Sequence, residues 1–143
     1  MATDRTMSTT WHGSLMDGSG TIHEAGSGAF GPLDVTWASR AEAPNGKTSP
    51  EELIAAAHST CFSMALSHAL AGDGHAPQAI DTRADVDFQA GQGITGIKLT
   101  VRGQVEGLSN EEFVEAAKSA KDNCPVSQAL TGTTITLDAA LAD

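Results

Sequence analysis

Thr48-Ser49-Pro50-Glu51-Glu52-Leu53-Ile54-Ala55-Ala56-Ala57-His58-Ser59-Thr60-Cys61-Phe62-Ser63-Met64-Ala65-Leu66 reads as the greater part of one long helix, and the other elements can be placed outward from it. Ser49 has the side-chain oxygen an N-cap needs. Pro50 suits the first helical position, where an amide hydrogen would have no partner, and Glu52 stands where a capping box places its acid. From Leu53 to Leu70 apolar residues fall nearly all round, with Leu53, Ile54, Ala57, Cys61, Phe62, Met64, Ala65 and Leu66, so little of the helix is expected to face water. Glu51, Glu52, His58, Ser59, Thr60, Ser63 and His68 interrupt the run, which predicts a central buried helix rather than a membrane span.

On the N-terminal side, turn chemistry at Met16-Asp17-Gly18-Ser19-Gly20 and Ala25-Gly26-Ser27-Gly28 flanks short segments such as Thr21-Ile22-His23. This predicts a β-meander of about three strands. Its third strand, near Leu33 to Ser39, alternates Leu33, Val35 and Trp37 on one face, and Arg40 stands just past its end before the loop Ala43-Pro44-Asn45-Gly46. On the C-terminal side, Ala84, Val86 and Phe88 alternate in one segment and Ile97, Leu99 and Val101 in the next, with Gly91 and Gly93 between them, so the two form an antiparallel pair. Asp81, Asp85 and Asp87 fall on the solvated face of the first. Ser109-Asn110-Glu111-Glu112 carries a second capping box ahead of a helix through Phe113, Ala117 and Ala120. Cys124-Pro125-Val126-Ser127-Gln128 reads as the cap and first turn of a short further helix, and Thr133 to Leu137 as a last strand. Strand runs and helix runs are segregated, which makes the class α+β.

A chain of 143 residues with 40% apolar content is read as a single domain, residues 1–143, with a real core. Eight Lys and Arg stand against 18 Asp and Glu, a formal charge of -10, and such a field repels phosphate backbones and anionic lipid surfaces. Neither nucleic acid nor a membrane is an expected partner. The start, Met-Ala-Thr-Asp-Arg-Thr-Met, lacks the apolar stretch of a signal peptide, so the expected location is the cytoplasm. There two cysteines are reduced by default, and reactive, metal-binding or merely buried thiols are favoured over a permanent disulfide.

Cys61 falls in the middle of the apolar helix, whereas Cys124 precedes a proline at a helix start. Burial disfavours a thiolate at the first, and helix N-terminal amides favour one at the second, so physical chemistry ranks Cys124 as the activated thiol. The competing view treats both as small core residues. His58 and Cys61, three apart on one helix, could with Cys124 supply three zinc ligands, although that spacing is generic. Glu51 is also explained by the preference of a first helical turn for acids.

The stretch from Thr48 to Leu66 together with Asn123-Cys124-Pro125-Val126-Ser127-Gln128-Ala129-Leu130 resembles the two signature segments of the OsmC/Ohr family, in their order and separation. The resemblance extends over nearly the whole chain, including Trp11-His12-Gly13 and Trp37-Ala38-Ser39-Arg40. It implies an α+β fold of antiparallel sheets around a long central buried helix, an intertwined homodimer, and a bacterial thiol peroxidase. Carried over by position, it makes Cys61 the peroxidatic cysteine and Cys124 the resolving one, with Arg40 and Glu51 as the pair that activates Cys61. This reverses the physical ranking of the thiols. The members named for organic hydroperoxide resistance place their arginine in an earlier loop, and Asp17-Gly18-Ser19-Gly20 has none, which favours the OsmC branch.

The implied reaction is displacement by the Cys61 thiolate on the distal peroxide oxygen, giving an alcohol and a Cys61 sulfenic acid that condenses with Cys124 to a disulfide. Organic hydroperoxides are expected to react better than hydrogen peroxide, since Phe62, Met64 and neighbouring alanines offer apolar surface. An outside dithiol must close the cycle, and the resemblance implies a dihydrolipoyl group on a lipoylated protein. No metal or organic cofactor is called for. If Glu51 and Cys61 lie on one unbroken helix, their ten-residue separation is roughly 15 Å of rise, so Glu51 is expected to act on the Cys61 of a second subunit. The alternative function is a non-enzymatic, stress-induced protein that binds small apolar molecules.

Overall fold

The computed structural model describes residues 1–143, which fall into two compact units, residues 1–53 and 54–143. In the first, strands β1 (Thr9–His12), β2 (Ser19–Ile22) and β3 (Leu33–Val35) form an antiparallel sheet in that order, the expected meander. The third strand ends earlier than its alternation predicts. Thr36 instead caps a short helix, α1 (Trp37–Ala41): its hydroxyl accepts from the Ser39 amide at 3.1 Å while the Ser39 hydroxyl accepts from the Thr36 amide at 2.9 Å. Two reciprocal bonds outweigh a three-residue alternation, and Arg40 consequently lies within a helix rather than beyond a strand.

The same Ser39 hydroxyl donates to the Thr48 carbonyl at 2.8 Å, and the Thr48 amide donates to the Asp34 carbonyl at 3.0 Å. These bonds anchor both ends of the intervening loop, whose turn is made by Asn45 and Gly46 at positive φ. Helix α2 (Pro50–Gly72) follows without a break. Its start keeps half of the expected capping box. The Glu52 amide donates to the Ser49 hydroxyl at 3.1 Å, but the Glu52 carboxylate accepts from the Thr48 hydroxyl at 2.8 Å, one residue further out.

The second unit contains the rest of α2, strands β4 (Ala79–Gln89) and β5 (Gly93–Gln104), helices α3 (Asn110–Asn123) and α4 (Pro125–Ala129), and strand β6 (Ile135–Leu141). Strands β4 and β5 are the expected antiparallel pair, turned at Gly91 and Gly93, both at positive φ. Along β4 the charged residues point outward, and Arg83 pairs with Asp85 two positions on at 2.7 Å. Strand β6 corrects the expectation of purely antiparallel sheets, because it lies parallel to β5. The crossover through α3 and α4 returns the chain to the end of the sheet where β5 began, and such a connection yields a parallel neighbour. Helix α3 has its full capping box, with Ser109 and Glu112 bonded reciprocally at 3.2 and 2.8 Å.

Helix α2 departs from the reading of a helix buried all round. His58, Phe62, Leu66 and Leu70 are buried at four-residue spacing, while Ala56, Ala57, Thr60 and Met64 are exposed, Met64 to 69%. By length and composition alone this helix could cross a membrane, with a mean hydropathy of 1.3, but a core helix has the same composition and the buried stripe is how one packs. Phe62, Leu66 and Leu70 share one cluster with Leu99, Val101, Phe113, Ala117, Ala120 and Cys124. Each such phenylalanine or leucine contributes about 1.5–3 kcal/mol on burial.

Gly103 on β5 makes room for this cluster. A Cβ there would sit 2.6 Å from Cζ of the Phe113 ring. Gly103→Ala is therefore expected to destabilise the fold by about 1–3 kcal/mol through overpacking. Urea denaturation would measure the loss, and Phe113→Leu in the same chain should recover part of it; equal midpoints for wild type and Gly103→Ala would show that the ring yields freely.

Candidate active site

In the first unit the reciprocal cap at Thr36 presents Arg40 from α1, and the N-terminal turn of α2 presents Glu51. The guanidinium meets the carboxylate on two edges: Nε donates to Oε1 at 3.0 Å and Oε2 at 3.2 Å, and Nη2 donates to Oε1 at 2.8 Å. Glu51 is buried, with its side chain 7% exposed against 31% for Arg40. A planar contact of this kind fixes the orientation of the guanidinium as well as its distance, which a lysine could not do. Arg40 also lines a cavity of about 570 Å³ with Trp11, Leu15, Ile22, Trp37 and Leu53, of the size and apolar character that small organic ligands occupy.

The second unit brings the two thiols together. Cys124 has a double structural role, as C-cap of α3 and N-cap of α4, with extended backbone at φ -61, ψ 125 between the two helices. The chain therefore bends at Cys124, and the fully buried thiol meets Cys61 on α2, which is only half-buried. Cys61 packs against the cluster that includes Cys124, each sulfur bears on the other's acidity, and both thiols are reduced.

Their acidities diverge. Burial pushes the Cys61 thiol up; the Val126 amide opposes this, and the neighbouring Cys124 adds to it. Burial also pushes Cys124 up, yet the Ser127 amide, the Cys61 thiol, the Ser127 hydroxyl and the Val126 amide together outweigh it, so Cys124 lies below its ordinary value. The amides face the sulfur without closing a regular side-chain cap. This agrees with the physical ranking from sequence, in which the helix start favours the Cys124 thiolate.

His58 is completely buried one turn before Cys61. Its Nε2 lies 2.7 Å from the Ser127 hydroxyl, while Nδ1 is enclosed with no hydrogen-bond partner. It turns toward Ser127 rather than joining the thiols as a ligand, and no three His, Cys, Asp or Glu side chains converge on a point that could hold a metal. The zinc reading thus lacks its ligand set. Phe62, expected to offer surface to substrate, is fully buried in the core. The residue that sequence reasoning missed is Ser127. Its signal was the spacing Cys124-Pro125-Val126-Ser127, since the residue three after an N-cap turns its amide back toward the capping side chain.

Comparison with known proteins places these residues in context. Residues 43–138 match the family model described as OsmC-like protein. Over 131 residues, 90% of each chain, the sequence is 43% identical to peroxiredoxin OsmC of Escherichia coli strain K12. The organic hydroperoxide resistance protein OhrB of Bacillus subtilis superposes with a TM-score of 0.66 at 25% identity, covering 96% of this chain and 98% of its own. An OsmC-like protein from Mycoplasma pneumoniae superposes with a TM-score of 0.74 over the whole of both chains, and at 13% identity this is a likeness of fold.

The buried imidazole makes stability depend on pH. Burial lowers the His58 pKa below its ordinary 6.5. The unfolded chain then binds a proton that the folded chain refuses, so the stability His58 confers as a neutral group is intact above 6.5 and is lost as pH falls below it toward the depressed folded value. Urea midpoints measured from about pH 7 to about pH 5 should fall more steeply for wild type than for His58→Gln, which has no proton to gain. Parallel curves would mean that His58 titrates normally.

Proposed function

The chain belongs to the OsmC-like protein family, and from that premise we propose that it is a cysteine-based peroxidase in which Cys61 attacks the hydroperoxide and Cys124 resolves the product. The observation that carries this reading is the meeting of two reduced thiols from distant parts of the chain, Cys61 on α2 and Cys124 between α3 and α4. The relatives named peroxiredoxin OsmC and organic hydroperoxide resistance protein support a hydroperoxide as substrate.

In the first step a lone pair of the Cys61 thiolate attacks the distal peroxide oxygen, the O–O bond breaks, and the alkoxide leaves as alcohol with the proton that Cys61 had given to Cys124, which returns to its thiolate. The Cys61 sulfur is now a sulfenic acid. Cys61 reaches its thiolate by passing a proton along the thiol–thiol contact to Cys124 as the Arg40 guanidinium, held flat by Glu51, polarises the peroxide. Half-exposure suits Cys61 to meet substrate, whereas a fully buried Cys124 is shielded from peroxide and limited to attack on Cys61. The apolar cavity that Arg40 lines takes the organic part of the hydroperoxide, replacing Phe62 and Met64 as the source of preference over hydrogen peroxide. A dihydrolipoyl group on a partner protein reduces the disulfide, and the work is done in the cytoplasm.

The active assembly is a homodimer. Helix α2 runs unbroken through Glu51 and Cys61, which satisfies the condition for the spacing argument: about 15 Å of rise separates them, more than a glutamate side chain spans. The Arg40–Glu51 pair of one subunit accordingly serves the Cys61 of the other, and the exposed face of α2 with Met64 is covered by the second copy.

Cys61→Ser is expected to abolish peroxide consumption, while Cys124→Ser reacts once and accumulates sulfenic or over-oxidised Cys61. Intact-mass spectra after one equivalent of cumene hydroperoxide would show each species, and wild type should consume this peroxide at least about tenfold faster than hydrogen peroxide, since two buried methylenes suffice for that factor. A reactive Cys61→Ser with an inert Cys124→Ser would reverse the roles, and thiols untouched by peroxide would leave a binder of small apolar molecules.

Sharing between subunits has its own test. Cys61→Ser and Glu51→Ala homodimers should both be impaired, while their co-expressed heterodimer regains about half of wild-type activity through one complete site of two. No gain in verified heterodimers would place Glu51 within its own chain.

A further inference from the structure

The apolar cavity of the first unit is lined by both of the chain's tryptophans, Trp11 and Trp37, in a sequence with four phenylalanines and no tyrosine. Although 38% exposed, Trp11 is firmly held. It stands directly across the sheet from Gly20 on β2, and Gly20 stands across from Val35 on β3, so one row of the sheet carries a large side chain, none, and a medium one. A Cβ on Gly20 would lie 2.7 Å from Cε3 of the indole and 3.0 Å from Cγ1 of Val35, and a Cβ on Gly18 would lie 2.9 Å from Nε1. Cε3 and Nε1 are on opposite sides of the indole, so the ring system lies along the strand with one face on the two glycines. Its Nε1–H donates to the Gly13 carbonyl at 3.1 Å and is shared with the Ser14 carbonyl at 3.3 Å, which ties the ring to the turn that follows β1. Gly20 is buried and does not line the cavity, whereas Trp11 does, so the outer face of the indole is the surface offered to a ligand.

We propose that Trp11 is a specificity-determining residue: its indole, pinned on Gly18 and Gly20, is a preset stacking surface through which the cavity selects an aryl-bearing hydroperoxide over a saturated one of the same size. The wall formed by Leu15, Ile22, Val35 and Leu53 is aliphatic and offers any hydrocarbon the same kind of burial. The indole adds a contribution that needs a π face in the ligand, because aromatic pairs gain beyond the area they cover. Pinning makes that gain available at little entropic cost, since a ring bonded at Nε1 and seated on glycine has few rotamers to lose. Trp37 stands three residues before Arg40 on α1, so the second tryptophan and the guanidinium share one face of that helix and line the same cavity.

The inference rests on the peroxidase reading for the reaction, while the stacking surface stands on geometry within the first unit. Hydrophobic burial by itself predicts the opposite order of ligands. A cyclohexyl group covers at least as much apolar surface as a phenyl group and has no π face, so in a merely apolar cavity it binds as well or better. A preference for the aryl ligand therefore reports the tryptophan rather than the aliphatic wall. Covering a strand glycine with an aromatic ring is also a structural role. That role alone changes stability and leaves the ratio between two ligands where it was.

The test is made first without peroxide, with two alcohols of the kind the reaction would release, 2-phenyl-2-propanol and 2-cyclohexyl-2-propanol, each titrated into the unsubstituted protein. The phenyl alcohol should bind roughly two- to tenfold more tightly, the factor one aromatic pair supplies. Its ring current should also shift the indole N–H signals in proton NMR, where the cyclohexyl alcohol leaves them nearly in place, and this readout requires no variant to fold. In Trp11→Leu the affinity ratio should fall to about one, because the aliphatic wall alone does not favour a π face. Gly20→Ala, which keeps the indole in the chain but lifts it from its seat, should bring the ratio more than halfway to that value. The ratio of second-order rates for cumene hydroperoxide and its cyclohexyl counterpart should follow the same order across these proteins. Equal affinities in the unsubstituted protein, or an aryl preference that survives in folded Trp11→Leu, would overturn the proposal. An aryl preference lost in Trp11→Leu, in a protein that consumes neither hydroperoxide, would sink the functional reading and leave the stacking surface standing.

Discussion

The stripe of α2 that carries His58, Phe62 and Leu66 is completely enclosed in the second unit, and the positions of the thiols follow from that enclosure. Phe62 and Leu66 share their cluster with Leu99 and Val101 of β5 and with Phe113 and Ala117 of α3. A helix held this way cannot rotate without opening voids or clashes in a close-packed interior. Cys61, beside Phe62, is thereby fixed at the edge of the cluster, half in and half out, while Cys124 at the end of α3 belongs to the cluster itself. Packing and chemistry therefore use neighbouring positions of one helix face. Gly103 is part of the same constraint, because only a residue without a side chain lets the Phe113 ring lie against β5.

Placing a pair of thiols at this boundary creates an electrostatic difficulty that the local backbone answers. An apolar environment raises the pKa of both sulfurs, and once one of them is ionised its charge disfavours ionisation of the other. At the helix break the neighbouring Ser127 and Val126 amides offset burial and lower the Cys124 pKa. Cys61 has the Val126 amide on its side and a net upward shift. In the proposed peroxidase the division of labour is asymmetric for that reason: the accessible thiol is the one assigned to meet peroxide, and the buried thiol is the one assigned to condense afterwards.

The Arg40–Glu51 pair is assembled by different means. It depends on a short helix that exists because of the Thr36–Ser39 cap, and on Ser39 and Thr48 anchoring the two ends of a loop. Both partners are held by the first unit alone, so the guanidinium has a fixed orientation, as the substrate-polarising role proposed for it requires. Its three short contacts to a buried carboxylate restrain it in a way that an arginine at the end of a strand would not be restrained.

Local chemistry was legible in the sequence wherever one residue and its near neighbours decide the outcome. Ser49 and Pro50 mark the start of α2, Ser109 and Glu112 that of α3, and Gly91 with Gly93 the turn between β4 and β5, since caps and turns are satisfied within a few residues. The greater ease of ionising Cys124 was also legible, because helix-start amides are local donors. The resemblance of the two cysteine segments supplied the α+β fold. What only the tertiary structure decided involves competition or distance. Thr36 could continue a strand or cap a helix, and reciprocal bonds with Ser39 settled it; β6 could pair in either sense, and the path of α3 and α4 made it parallel. The apolar composition of α2 could not say which stripe faces the core, since a helix apolar on every side has no preferred face until a sheet packs against it. The bond from His58 to Ser127 joins residues 69 positions apart. No pattern of spacing announces such a contact, because it arises from the packing of α4 on α2 rather than from either helix alone.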